Sequence, residues 1–309
     1  FPMIDVIKDE TYLVAGVGTA VGNLSIFPPP HTLSYGTLNY LINYFLIGLF
    51  LIIASFFLEF NLTNLKIFLV SHPFVLYFIP RILSAIAAVI LIVLINKALK
   101  VEVDNIKSRF FLIFLLTTNI ITVIVFHTGK MWALSTLLVT ASFYYLYLST
   151  KKKDNFCVFW SIILAFLAFT NFILNFFALI NIPILFWFFR KNKLMIFRVI
   201  IYSVIGFSLF GGLTMLDPQG LISLIHDTFT NYRSSAAVIT GHNLAVVPSL
   251  FLNLKKILIL FPLILITLLI TTLKSSIKNN PLFWLSVIYL VGYFLLISFV
   301  AVWATNMHD

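Results

Sequence analysis

FCVFWSIILAFLAFTNFILNFFALINIPILFWFF, residues 156–189, runs 34 residues without Asp, Glu, Lys or Arg. As one helix it would measure about 51 Å at 1.5 Å per residue, far more than the roughly 30 Å hydrocarbon layer of a bilayer. The segment is therefore expected to be a hairpin of two crossings, turning near Asn171 to Asn175. The rest of the chain has the same character: 61% hydrophobic, 17% aromatic and 10% charged residues, 34 of them Phe, with a mean hydropathy of +1.08. A soluble domain carries about 25% charged residues, so a water-soluble fold is excluded. Backbone polar groups find no water in hydrocarbon, which makes helices the spanning element. The expected fold is all-α: a polytopic transmembrane helical bundle with outer-face loops and short juxtamembrane helices.

The net charge is +10. Its cations fall in clusters between apolar runs: Lys97, Lys100, Lys107 and Arg109; Lys151 to Lys153; Arg190, Lys191, Lys193 and Arg198; Lys274 and Lys278. These hold 13 of the 20 basic residues and read as cytoplasmic loops, not as a nucleic-acid surface. Cys157 is the only cysteine, which excludes an intrachain disulfide and a thiolate metal site. The chain opens at Phe1 without a cleavable signal, as a fragment or processed chain would.

With the basic clusters inside, 110–126 and 131–149 are two crossings joined by an external turn at His127, Thr128, Gly129 and Lys130. Residues 199–215 lead outward, 257–273 return and 281–304 lead out again. The whole chain is one transmembrane domain: a first outer loop over 1–36, an interfacial or re-entrant apolar segment over 37–80, membrane helices over 81–215, a second large outer loop over 216–256, and membrane helices over 257–305. Parity puts Arg81 at the outer boundary, opening the helix that begins at 82. A simple crossing at 38–58 breaks this parity, so either that segment re-enters the outer leaflet or 64–80 makes a short return crossing.

Six of the ten acidic residues, Asp5, Asp9, Glu10, Asp217, Asp227 and Asp309, fall outside by this topology. Asp9, Glu10, Thr11 and Tyr12 precede a small-residue stretch, Ala15 to Ala20. If the segment is helical, Asp5, Asp9 and Tyr12 share one face. Adjacent carboxylates near a membrane surface can divide the work of general base and cation or acceptor holder. The alternative is solvated charge at a helix start, where acids favour the dipole. Arg81 is either a snorkelling anchor or a fork for phosphate. His127 and Lys130 suit an anionic head group or an ordinary turn, and Tyr232, Arg233 and His242 a lid or an ordinary polar loop. Asn61, Leu62, Thr63 matches a glycosylation acceptor pattern.

In order, Asp9-Glu10-Thr11-Tyr12, then Pro28-Pro29-Pro30, then Arg81-Ile82-Leu83-Ser84-Ala85, then the turn His127 to Lys130, then Leu216-Asp217-Pro218-Gln219, resemble the glycosyltransferase C superfamily, in particular its protein O-mannosyltransferase and aminoarabinose transferase branch. The likeness spans nearly the whole chain, without the family's leading helix or the part that follows a segment like Asn306 to Asp309. It implies transfer of a sugar from a polyprenyl-phosphate carrier to a lipid, glycan or protein acceptor at the extracytoplasmic face, with inversion. Asp9 is then the general base, Glu10 positions the acceptor or a divalent metal ion, and Tyr12 and Arg233 belong to the substrate site. Arg81 and Lys130, with His127, neutralise the phosphate leaving group, and membrane lipids surround the Phe-rich helices. Metal dependence stays open, because no His and acid cluster shows ligand spacing. The competing readings are a lipid or solute transporter, which calls for inverted repeats and interrupted helices, and a non-catalytic membrane subunit.

Overall fold

A computed structural model of the chain describes residues 14–19, 37–58, 61–72, 74–102, 104–118, 126, 129, 132–211, 254–255, 284, 287–288 and 291–292. Among these residues there is no strand. In chain order the helices are α1 (14–19), α2 (Thr37–Phe57), α3 (Leu62–Ser71), α4 (Phe74–Glu102) and α5 (Ile106–Thr117), then α6 (Trp132–Lys152) and α7 (Asn155–Asn171). A 3₁₀ segment (Ile173–Ile180), α8 (Asn181–Phe188) and α9 (Lys193–Gly206) follow, and α9 runs on into a π turn at Phe207–Gly211. The chain divides into two compact units, Phe1–Pro218 and Gln219–Asp309. In the second unit, Trp284, Ile288 and Val291 are each helical and exposed.

Among the described residues, three helices are long and apolar enough to cross a bilayer: Thr37–Phe57, Leu76–Val101 and Lys193–Phe210. Their large apolar side chains point outward. Phe45, Ile52, Phe56 and Phe57 on α2, Phe78, Ile86, Val89 and Val93 on α4, and Phe197, Ile200 and Val204 on α9 are exposed. Buried between the helices are small and polar residues, Ala133, Ser135, Ser142, Ser161, Ala165, Ala168, Asn171 and Asn181 among them, together with larger apolar ones such as Leu146, Tyr147, Ile162, Phe166 and Leu185. Hydrocarbon solvates Leu as well as another Leu does, so in lipid it is the small residues and the hydrogen bonds that favour helix association.

The register of the central helices follows from their buried hydrogen bonds. The two-residue turn Lys153-Asp154 joins α6 to α7: Lys153 takes a left-handed φ of 52°, and the Asp154 carboxylate accepts from Phe156 N. Lys151 and Lys152 in the last turn of α6 favour its negative dipole end. Above this turn α6 and α7 run antiparallel, with Ser142 Oγ donating to Ser161 O at 2.8 Å and Asn171 Nδ2 to Ser135 Oγ at 2.7 Å. The chain breaks at Phe172, which is extended, inside the turn expected at Asn171 to Asn175. It then descends antiparallel to α7. Asn175 Nδ2 donates to Ala168 O at 2.9 Å, and Asn181 Nδ2 lies 2.6 Å from Ser142 Oγ and 3.0 Å from Ser161 Oγ. Finally α9 runs parallel to α7, since Arg198 Nη1 donates to Asn155 Oδ1 and Tyr202 packs edge-on against Phe159. Lys151 to Lys153 and Arg190 to Lys193 therefore lie at one end of the bundle, and the Asn171 turn at the other.

Asn181 ties three segments together through one amide. Replacing it by Ala is expected to lower the stability of the purified protein by about 1 kcal/mol, since interhelical side-chain bonds in membranes average near 0.6 and reach about 1.7 kcal/mol. Thermal unfolding in detergent measures this, and an unchanged midpoint would dismiss the network as a stabilising element.

Two boundaries differ from the sequence reading. Arg81 does not open a helix: α4 begins at Phe74 and carries Pro80 inside it, so Arg81 lies two turns in. A charge ends an apolar run in the sequence, yet a long Arg side chain reaches out while its backbone stays helical. The stretch 64–80 is not one continuous helix: α3 ends at Ser71, with His72 as its C-cap, and 74–80 belong to α4. At ten residues, α3 rises about 15 Å, half a bilayer. Asn61 serves as its N-cap, accepting from Thr63 N and Asn64 N.

Candidate functional site

Polar residues enter α2 in its first two turns: Thr37, Asn39, Tyr40 and Asn43. In a helix with an apolar outer face these residues have only the protein interior to turn to, and all four are buried. Asn43 Nδ2 donates to Asn39 O at 2.8 Å and lies 3.3 Å from Asn39 Oδ1. That bond fixes the Asn43 amide, since only its nitrogen edge can face a carbonyl. Three atoms on this face, Asn39 Nδ2, Tyr40 Oη and Asn43 Oδ1, have no hydrogen-bond partner among the described residues. Burying a polar group unpaired costs roughly 1–3 kcal/mol by protein mutational data.

The same face of α2 collects its neighbours. Val17 of α1 packs with Tyr40 and Ile47, joined by Leu76 and Ile79 from the first two turns of α4. The next residues of α4 are buried Pro80 and half-buried Arg81, with buried Ser84 one turn on. On its other side, Leu38 of α2 packs against the cluster of Leu138, Ala165, Ala168 and Ala178, beside the Asn171 turn. The small helix α1, the entry of α2 and the start of α4 thus meet at the end of the bundle away from Lys151 to Lys153.

Of the residues singled out in the sequence, Arg81 is described, at the position just given. Asp9, Glu10, Tyr12, His127, Lys130 and Arg233 lie outside the described residues. The helix expected from Ala15 is present over 14–19, with Thr19 Oγ1 donating to Ala15 O at 2.8 Å. Among the described residues no three His, Cys, Asp or Glu side chains come together as a metal site. Asn39, Tyr40 and Asn43 were not anticipated. Their signal was available: two amides four residues apart inside an apolar run, where polar side chains are expensive and seldom idle.

Chemically, this end of the bundle carries a neutral hydrogen-bonding face on α2, an amide donor, a phenol and an amide acceptor, while Arg81 stands on α4 on a different face from Leu76 and Ile79, which pack against α2. Comparison with protein-family models, curated proteins and solved structures gives no match, so the family resemblance rests on the motifs and their order in the chain.

Proposed function

We propose that this chain is a multi-pass membrane glycosyltransferase that moves a sugar from a polyprenyl-phosphate carrier to an acceptor at the extracytoplasmic face, inverting the anomeric carbon. The observation that supports it best is the packing around Val17. The helix α1, whose first residue stands five positions after Asp9, and the α4 turn that leads into Arg81 bury side chains in one cluster. The helix that follows the acidic motif and the helix that carries Arg81 thus contribute side chains to the same cluster.

In the proposed reaction Asp9 takes the proton of the acceptor hydroxyl as its oxygen attacks the anomeric carbon. The bond from that carbon to the carrier phosphate breaks on the opposite side, and the phosphate leaves with its electron pair. Negative charge grows on the phosphate in the transition state, which is where Arg81 and Lys130, with His127, act. Glu10 orients the acceptor, and Tyr12 and Arg233 contact the substrates. The decisive experiment is transfer of radiolabelled sugar in membranes expressing the chain, wild type against Asp9→Asn.

Orientation is a separate expectation. The start of α4 packs beside the first half of α2, and α4 then carries Lys97 and Lys100 near its end. Tyr147 beneath Lys151 and Trp187 beneath Arg190, at 4.8 and 5.5 Å, give the basic end the aromatic residues of a bilayer interface. Cysteines placed at 152 and 191 in a Cys157→Ser background should react with an impermeant maleimide only after the membrane is opened. Labelling of either in intact cells would reverse the orientation.

A further inference from the structure

Between residues 151 and 198 the chain carries seven cations and one carboxylate, Asp154. The fold brings them to one end of the α6 to α9 bundle. Lys151, Lys152, Lys153, Arg190, Lys191 and Lys193 are all exposed there, while the Asp154 carboxylate is turned to its own helix and accepts from Phe156 N. Half-buried Arg198 joins the two basic turns, its Nη1 donating to Asn155 Oδ1 across 43 positions of sequence. Lys153 holds its charge at a φ of 52°, a conformation that favours glycine. We infer that the turns Lys151 to Lys153 and Arg190 to Lys193 form one surface that selects anionic phospholipid headgroups over zwitterionic ones. The inference requires this end of the bundle to lie at a bilayer surface and is independent of the sugar-transfer reading.

The side chains beside the cations identify the partner. Phe156, Trp187, Leu194 and Phe197 are each more than half exposed, and all lie within about a turn of a cation on the same helix. The Arg190 guanidinium stands 5.5 Å over the Trp187 ring. Farther into the bundle a chain of ring contacts crosses three helices: Tyr145 of α6 meets Phe156 and Trp160 of α7, and Phe159 of α7 meets Tyr202 of α9. Cations followed inward by aromatic rings match the profile of a bilayer boundary, where headgroups give way to acyl chains. A nucleic acid or free phosphate would meet the charge but leave Leu194 and Phe197 in water. A phospholipid offers phosphate to the cations and hydrocarbon to these side chains. A net negative headgroup gains from the cluster, whereas the ammonium of phosphatidylcholine is repelled by it.

The test places the whole chain in phosphatidylcholine nanodiscs that contain a fixed fraction of brominated phosphatidylglycerol or of brominated phosphatidylcholine. Bromine quenches nearby tryptophan, and subtraction of Trp187→Phe isolates the signal of Trp187. Quenching of Trp187 should show a preference for the brominated phosphatidylglycerol of about fivefold or more, a factor equivalent to the roughly 1 kcal/mol that one cation near an anionic leaflet contributes. Lys152→Gln with Lys153→Gln, and separately Lys191→Gln with Lys193→Gln, should each cut that preference at least threefold while quenching by brominated phosphatidylcholine stays the same. Equal quenching of wild type by the two lipids overturns the proposal, a result that needs no variant beyond Trp187→Phe should a double substitution fail to accumulate. Preference retained in both double variants overturns the assignment to these turns, and loss in only one overturns a surface shared between them. Quenching of Trp187 by neither lipid removes this end from the bilayer surface and the proposal with it.

Discussion

Asn at position 9 is expected to lower sugar transfer by about 10²- to 10⁴-fold, the range that a positioned general base supplies. Asn matches Asp in size and keeps a hydrogen-bonding oxygen, so the acceptor can still dock. What it lacks is basicity: the amide cannot take the hydroxyl proton as the new bond forms. The loss should therefore fall on kcat, with KM for the donor near the wild-type value, the signature of an interaction made only in the transition state. Glu10→Gln, which removes charge from an orienting group, is expected to cost less. Equal transfer by wild type and Asp9→Asn, with any donor in the panel, would remove the base assignment. No transfer by either would shift the weight to a transporter or a non-catalytic subunit.

The hairpin in 156–189 was legible because its length alone forbids a single crossing, and the break came at Phe172, within the expected turn. The sharing of one end by Lys151 to Lys153 and Arg190 to Lys193 was legible for a similar reason, since charge position is strongly constrained where the solvent is hydrocarbon. Less was legible where charge is the wrong guide. Arg81 looked like a helix start because it ends an apolar run, whereas α4 passes through it from Phe74. Asn39, Asn43 and Asn181 carry no charge and vanish into windows of Leu, Ile and Phe, although all three are buried and the Asn181 amide joins α8 to both α6 and α7. Gly48 and Gly206 read alike in the sequence, each inside an apolar helix, and only the structure separates them.

Gly206→Ala is expected to destabilise the protein by about 1–3 kcal/mol, the cost of overpacking a well-filled interior. In an isolated helix the same change would stabilise by roughly 0.5–1 kcal/mol, because Ala loses less backbone entropy. The sign reverses here because α9 runs beside α7 at this point. A Cβ on residue 206 would stand 2.8 Å from Cε2 of Phe166 and nearer still to Cδ2, and Phe166 is only 5% exposed. Its ring is further confined by Phe207, whose centroid is 6.5 Å away. Gly48 in α2 supplies the control, since a Cβ there meets nothing within 4 Å. Gly48→Ala should raise the thermal midpoint in detergent while Gly206→Ala lowers it. Two shifts of the same sign would mean that helix propensity, not the approach of α9 to α7, governs position 206, and the parallel packing of these helices would lose its tightest point.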